Sequence, residues 1–250
     1  GASVKTMREV RGKRVAMIFQ DPLSALNPTH KIGNQIVEMI RSHQDMSKDA
    51  AMKRAVELLD IVGIPQPDQR ARQYPHEFSG GMRQRVMIAM AIANDPEVLI
   101  ADEPTTALDV TVQAQILEVM QRIQRDLGTA IVLITHDLGV VARVAGRVQV
   151  MYAGRAAERA LVDDVFAQPT HPYTRGLMAS LPGSGSERLV PIPGSPPNML
   201  EPPPGCAFAP RCSHAMDRCT QGAPPELFRF GSNETACVRA AEIVLEGTRG

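Results

Sequence analysis

Three short apolar runs, each ended by polar residues, constrain the fold of this chain more than any other feature. Near-continuous runs of β-branched and aliphatic residues are typical of strands that are buried on both faces of a parallel sheet. Parallel strands alternate with helices, so the pattern predicts an α/β fold. Ligands of such sheets bind outside the carboxyl ends of the strands. The first run covers residues 15–19 and is followed by Gln20. The second covers residues 98–101 and is followed by Asp102 and Glu103. The third covers residues 130–134 and is followed by Thr135 and His136.

The segments between these runs carry the helical spacing of apolar residues. Ser47 and Asp109 are typical N-cap residues, and Gly128 stands where glycine is favoured after a helix. One segment, residues 80–94, is apolar on nearly every side, so we expect it to be a buried helix. The predicted helices cover residues 32–42, 47–62, 80–94 and 110–127.

The composition changes after residue 147. A strand is predicted over residues 147–154 and a short helix over 171–181. Residues 182–204 then contain eight prolines, a density that excludes a helix or a central strand and predicts an extended linker. All four cysteines lie in the last 45 residues, which indicates a distinct C-terminal module.

The overall charge and hydropathy exclude two classes of direct partner. The chain has 27 basic and 27 acidic residues, so it has no bulk electrostatic attraction to nucleic acid or to an anionic membrane surface. No apolar run approaches the roughly 20 residues that span a bilayer. We therefore expect any association with a membrane to go through a partner protein.

The polar residues at the predicted strand ends suit phosphate chemistry with a metal ion. Asp102 can hold Mg²⁺, which prefers one or two carboxylates together with phosphates. Glu103 can orient or deprotonate an attacking water, and His136 can donate to a γ-phosphate oxygen. Gln20 offers a donor and an acceptor near the metal and the water.

A second candidate site lies at the start of the predicted buried helix. Ser79, Gly80 and Gly81 open this helix, and its free amide groups form an anion site that suits phosphate. Taken alone, a Ser-Gly-Gly turn, an Asp-Glu pair or a single histidine after a strand is common in proteins. Their occurrence together, in one order and at predicted element boundaries, is specific.

This order of motifs resembles the Q-loop, signature motif, Walker B, D-loop and H-loop of ABC ATPases, over about residues 10–160. The signature departs from the usual pattern, because Phe78 and Met82 stand where Leu and Gln are commoner. The resemblance implies a P-loop NTPase core that hydrolyses ATP with Mg²⁺ and works as a dimer. It also implies the residues that contact ATP bound by the partner subunit: Ser79, Gly80, Gly81, Met82 and Asp109.

Further segments resemble the ATPases of dipeptide, oligopeptide and nickel importers: residues 18–28, 74–78 and 171–174, which read IFQDPLSALNP, YPHEF and HPYT. This resemblance implies ATP hydrolysis that drives the import of peptides or related solutes, with the transported solute left open. It implies a second ABC ATPase subunit, two membrane permeases and, indirectly, an external substrate-binding protein, but no nucleic acid. The expected location is the cytoplasmic face of a bacterial or archaeal membrane.

The predicted domains follow the motifs. Residues 1–160 form a partial nucleotide-binding domain with a helical subdomain at about 28–94. Residues 161–250 form a proline-rich extension of the oligopeptide-transporter type, with a four-cysteine segment at 206–237.

The P-loop motif G-x-x-x-x-G-K-[S/T] does not occur in this sequence. We expect truncation before the Q-loop, and we expect residues 1–250 alone to be inactive as an ATPase. Two alternatives stay open: an ABC ATPase that does not serve transport, and a half-site that acts only in trans.

The four cysteines are spaced C-x₅-C-x₆-C-x₁₇-C in a segment with little apolar mass, which needs a covalent or metal staple. Disulfides are rare in a reducing cytoplasm, and zinc sites usually show short C-x₂₋₄-C knuckles. Iron–sulfur clusters are commonly held by four cysteines. The resemblance favours a [4Fe-4S] cluster, with zinc, disulfides and free thiols as alternatives. The ligands would be Cys206, Cys212, Cys219 and Cys237.

Overall fold

The computed structural model describes residues 2–180 and 191–247. The chain divides into two compact units, one that ends at His136 and one that begins at Asp137. This division lies before the domain boundary that the sequence predicts near residue 160, and the predicted domain bounds stay predictions.

The first unit contains a parallel sheet and most of the helices. Its sheet has the order β1-β2-β3, and the three predicted strands are confirmed. A 3-10 turn at Pro75–Glu77 precedes the helix at Gly80–Ala91. The elements are α1 (Val4–Val10), β1 (Val15–Ile18), α2 (Pro22–Ala25), α3 (Ile32–Arg41), α4 (Lys48–Ile61), α5 (Pro67–Arg70), α6 (Gly80–Ala91), β2 (Val98–Asp102), α7 (Val110–Leu127) and β3 (Ala130–Ile134).

One face of this sheet packs on the main core. Alternate residues of the strands, such as Ile18 and Leu99, are fully buried and share a cluster with α3, α4, α6 and α7. The residues between them point to the opposite face, where Val132 and Ile134 are 50% and 47% exposed. The expectation of burial on both faces was therefore wrong for β3, whose residues alternate between the two environments.

Local capping explains where the helices of the first unit begin. The Ser47 side chain accepts a hydrogen bond from the amide of Ala50, and the Asp109 side chain accepts one from the amide of Val112. α7 ends at Gly128, whose φ of 67° is the left-handed conformation that glycine adopts without a steric penalty. These caps fix the starts of α4 and α7 as the sequence predicts.

The second unit is built on an antiparallel sheet of the order β4-β5-β7-β6. The strand predicted near 147 and the helix predicted near 171 are confirmed as β4 and α10. Its elements are α8 (Leu138–Val144), β4 (Arg147–Tyr152), β5 (Arg155–Leu161), α9 (Val162–Ala167), α10 (Pro172–Ala179), β6 (Phe228–Phe230), β7 (Asn233–Thr235) and α11 (Ala240–Gly247).

The predicted proline-rich linker lies partly in residues 181–190, outside the described part of the chain. Over residues 191–204 the backbone forms neither helix nor strand, as the prolines predict.

Within the described ranges, every helix is too short or too polar to cross a bilayer.

Candidate active site

The carboxyl ends of the three parallel strands bring Gln20, Glu103 and His136 together. Each residue follows its strand within two positions, and parallel strands end at the same edge of a sheet. The Gln20 Nε2 group donates to Glu103 Oε2 over 3.0 Å, and His136 Nδ1 lies 3.1 Å from Glu103 Oε1. The three residues predicted to be catalytic thus share one hydrogen-bonded cluster.

The backbone of Glu103 is held in an unusual conformation. Its φ is 45°, in the left-handed region that non-glycine residues seldom adopt, at a cost of about 1–3 kcal/mol. The Glu103 amide donates to the Ile134 carbonyl over 2.9 Å, and the Glu103 carbonyl accepts from the Thr106 amide over 3.1 Å. These bonds tie Glu103 to β3 on one side and to its own loop on the other.

Thr106 also contacts the Glu103 side chain, and sequence reasoning missed this residue. The Thr106 hydroxyl donates to Glu103 Oε2 over 2.8 Å. This hydrogen bond, followed by the one from His136, holds the pKa of Glu103 below its ordinary value. The only signal in the sequence was the position of Thr106 three residues after Glu103, the spacing of a β-turn.

Asp102 is the last residue of β2, directly beside Glu103 and in register with Ile134. Across the described residues, no group of three His, Cys, Asp or Glu side chains is arranged to hold a metal ion. Mg²⁺ needs only one or two protein carboxylates when phosphates and water complete its shell, so the single carboxylate of Asp102 suits the role that the sequence predicts for it.

The predicted phosphate-binding residues begin α6. The Ser79 hydroxyl caps the helix and accepts a hydrogen bond from the Met82 amide over 3.3 Å. A side chain at Gly80 would meet no atom within 4 Å, so the space beside this backbone is open. A Cβ at Gly81 would lie 2.6 Å from Val112 Cγ1, so this glycine permits the close packing of α6 on α7.

Asp109 and Met82 have local structural contacts. The Asp109 carboxylate accepts from the Val112 amide over 3.0 Å at the start of α7, and Met82 packs against the main core. In the described chain no hydrogen bond links Ser79 or Asp109 to the Glu103 cluster. The structure therefore places the predicted signature residues outside the hydrogen-bonded cluster of the strand ends.

The four cysteines of the second unit line one small cavity together with His171 and His214. Burial raises the pKa of the Cys206 and Cys212 thiols, and it raises the pKa of Cys237 to about 11. Among the residues described, the side chains that line this cavity are not arranged to hold a metal ion. The thiols thus share a cavity but do not form a closed set of ligands, and the structure does not show the predicted iron–sulfur or zinc site.

Two family profiles match the chain. The profile of the ABC transporter family matches residues 1–106, and the profile of the oligopeptide/dipeptide transporter C-terminal region matches residues 157–219. A dimeric ATP-binding cassette in a post-hydrolysis state, bound to ADP and phosphate, has a similar structure with a TM-score of 0.58 and 26% identity. That similarity covers 64% of this chain and 68% of the cassette. The fold and the strand-end site thus define an ABC-type ATP-binding cassette.

Two curated relatives narrow the class. The oligopeptide transport ATP-binding protein OppD of Bacillus subtilis is 60% identical over 89% of this chain, which spans 63% of the length of that relative. The dipeptide transport ATP-binding protein DppD of Bacillus subtilis is 53% identical over 98% of this chain and 75% of its own length. The chain belongs to the family of ATP-binding subunits of oligopeptide and dipeptide ABC transporters.

Proposed function

We propose that this chain is the ATP-hydrolysing subunit that energises the import of peptides or related small solutes. The observation that carries the proposal is the cluster of Gln20, Glu103 and His136 at the ends of three parallel strands. The relatives named above as oligopeptide and dipeptide transport proteins support the peptide substrate class. A chain without this cluster would have the fold of a cassette but no group to activate water.

The residues divide the chemistry of hydrolysis among them. A water molecule attacks the γ-phosphorus, the bond to the β,γ-bridging oxygen breaks, and ADP leaves. Glu103 orients the water and accepts its proton, while His136 donates to a γ-phosphate oxygen as negative charge shifts in the transition state. When bound, Mg²⁺ would neutralise charge on the phosphate oxygens, with Asp102 to hold it and Gln20 as a donor and acceptor near the metal and the water.

The proposed partners and location follow from the family. We expect a dimer in which Ser79, Gly80, Gly81, Met82 and Asp109 face ATP held by the other subunit. We also expect two membrane permeases, an external binding protein reached only through them, and a position on the cytoplasmic face of the membrane. Co-purification with permeases tests this arrangement against a cassette that does not serve transport.

The proposed domains keep the predicted bounds of 1–160 and 161–250, with the helical subdomain at about 28–94. The matches of two separate family profiles, over residues 1–106 and 157–219, support a composite chain.

The Glu103 assignment is tested by substitution in the complete gene product. Glu103→Gln removes the proton acceptor but keeps the shape of the side chain, so we expect kcat for ATP hydrolysis to fall at least about 100-fold. ATP binding should persist. The matched control is Glu97→Gln, because the Glu97 carboxylate is 62% exposed and pairs with Arg14. A Glu103→Gln enzyme with the parent rate would show that Glu103 is not the base.

A second proposal concerns the cysteine cavity. We propose that the four cysteines close on a metal centre, a [4Fe-4S] cluster or Zn²⁺, with a structural or redox-sensing role. The support is that all four thiols line one cavity. A cation there would also favour the thiolate form against the burial that raises the pKa of Cys237.

Elemental analysis after anaerobic purification distinguishes the two metals. A cluster predicts comparable iron and acid-labile sulfide, both removed by Cys212→Ser and kept by the neighbouring control Ser213→Ala. Zinc without sulfide would identify the other centre. A preparation with neither metal would leave free thiols or disulfides and would refute this proposal.

A further inference from the structure

We propose that Thr106 is a positioning residue for the water-activating carboxylate: its hydroxyl holds Oε2 of Glu103 so that Oε1 can face the attacking water. The geometry that carries the inference is the 2.8 Å hydrogen bond between the two side chains. The inference rests on the proposed role of Glu103 as the proton acceptor.

Thr106 and Glu103 belong to one tight turn. The Thr106 amide donates to the Glu103 carbonyl over 3.1 Å, and the Thr106 hydroxyl donates to the carboxylate of the same residue. The backbone and side-chain bonds therefore run in parallel between the same two residues. Because Glu103 is also fixed by the Ile134 carbonyl, little freedom remains for the turn to move relative to β3.

The other two donors to Glu103 differ from Thr106 in origin. Gln20 lies 83 positions away in the chain and His136 lies 33 positions away, and each follows a different strand. Both have proposed partners in the nucleotide, the metal or the water, so they must leave Glu103 at least in part when ATP is bound. Thr106 has no such competing role, and its bond is local, so it can hold the carboxylate throughout the cycle.

The side-chain type suits this role. Threonine is β-branched and has few accessible χ1 rotamers, so its hydroxyl is directed at Glu103 with little loss of entropy. Thr106 is exposed, and replacement of its hydroxyl by a methyl group does not leave a buried cavity. Thr106→Val tests the hydroxyl at constant shape, and Thr106→Ser restores the hydroxyl without the branch.

The experiment measures kcat and KM for ATP hydrolysis by the complete gene product. We expect Thr106→Val to lower kcat about tenfold, the loss expected for one hydrogen bond to a charged group, with KM for ATP within about twofold of the parent. Thr106→Ser should recover most of the rate.

Two further variants separate a positioning role of Thr106 from a general loss of stability. Thr129→Val removes a hydroxyl bond of 2.9 Å to the Pro96 carbonyl elsewhere in the first unit, so it controls for a general loss of stability. Thr106→Ala replaces Thr106→Val if the latter does not fold. A Thr106→Val enzyme with the parent kcat refutes the inference, as does a slow enzyme whose KM for ATP rises severalfold or whose rate is not rescued by serine. If Glu103→Gln retains the parent rate, the proposed function itself fails.

Discussion

Glu103 combines a strained backbone with a carboxylate that has a donor on each oxygen. Its φ of 45° persists because the carbonyl of Ile134 and the amide of Thr106 hold the residue in place. The Glu103 side chain is only 25% exposed, and its oxygens contact Gln20, Thr106 and His136. The Thr106 hydrogen bond does not depend on the other two contacts, so it preorganises the carboxylate for its proposed role of orienting water.

A histidine in the second unit provides a prediction about acid stability. His171 is 3% exposed, and burial lowers its pKa to about 4, against a weaker opposing effect of Glu158. The unfolded chain, in which histidine has a pKa near 6.5, therefore binds more protons between these values, and the free energy of unfolding falls as the pH drops through this window. At pH 4 the loss from His171 amounts to roughly 3 kcal/mol.

The free energy of unfolding is measured by chemical denaturation at pH 7 and pH 4.5, and unfolding is monitored with a probe in the second unit. The Tyr173 amide donates a hydrogen bond to His171 Nδ1 at the start of α10. His171→Asn keeps an acceptor for this amide, but the asparagine side chain does not titrate. We expect this variant to lose less stability on acidification than the parent. His76→Asn, at an exposed histidine of the first unit, should retain the parent response. Equal acid sensitivity of the parent and His171→Asn would contradict the prediction.

At the scale of elements, the sequence was most informative where caps and apolar periodicity agreed. α7 was predicted over its full observed length, because Asp109 caps it and Gly128 ends it. The strands β6 and β7 were not predicted, since three residues are too few to show an alternating pattern. β5 carries three charged residues, which conceal its alternating pattern. One of them, Glu158, is buried, and its carboxylate accepts hydrogen bonds from the Thr170 and His171 amides.

The candidate site was predictable for a related reason. Gln20, Glu103 and His136 follow strands of one parallel sheet, so the topology alone brings them to one edge. Thr106 could not be identified in this way, because its contact depends on the conformation of a turn rather than on a strand. The different surroundings of the two signature glycines could not be predicted from the sequence either. Only the packing of Val112 against Gly81 distinguishes this residue from Gly80.

At the scale of the whole molecule, the chain has the residues that we propose to activate water but contains no G-x-x-x-x-G-K-[S/T] segment. That segment provides the amides and the lysine that cradle the ATP phosphates. The match of the ABC transporter profile begins at residue 1, and the truncation expected from the sequence stays a prediction. We expect Ser79, Gly80 and Gly81 of this chain to contact ATP that a P-loop-bearing partner holds.

We accordingly predict negligible ATP hydrolysis by purified residues 1–250 alone, and measurable hydrolysis after mixing with a P-loop-bearing subunit of the family. Gly80→Asp should prevent this gain, because a negative charge would stand beside phosphate at short range. Gly80→Asn has the same size without the charge, and the open space beside Gly80 lets either side chain fit, so it should prevent much less. Robust hydrolysis by residues 1–250 alone, abolished by Glu103→Gln and hence not a contaminant, would show that this chain binds and cleaves ATP without a P-loop.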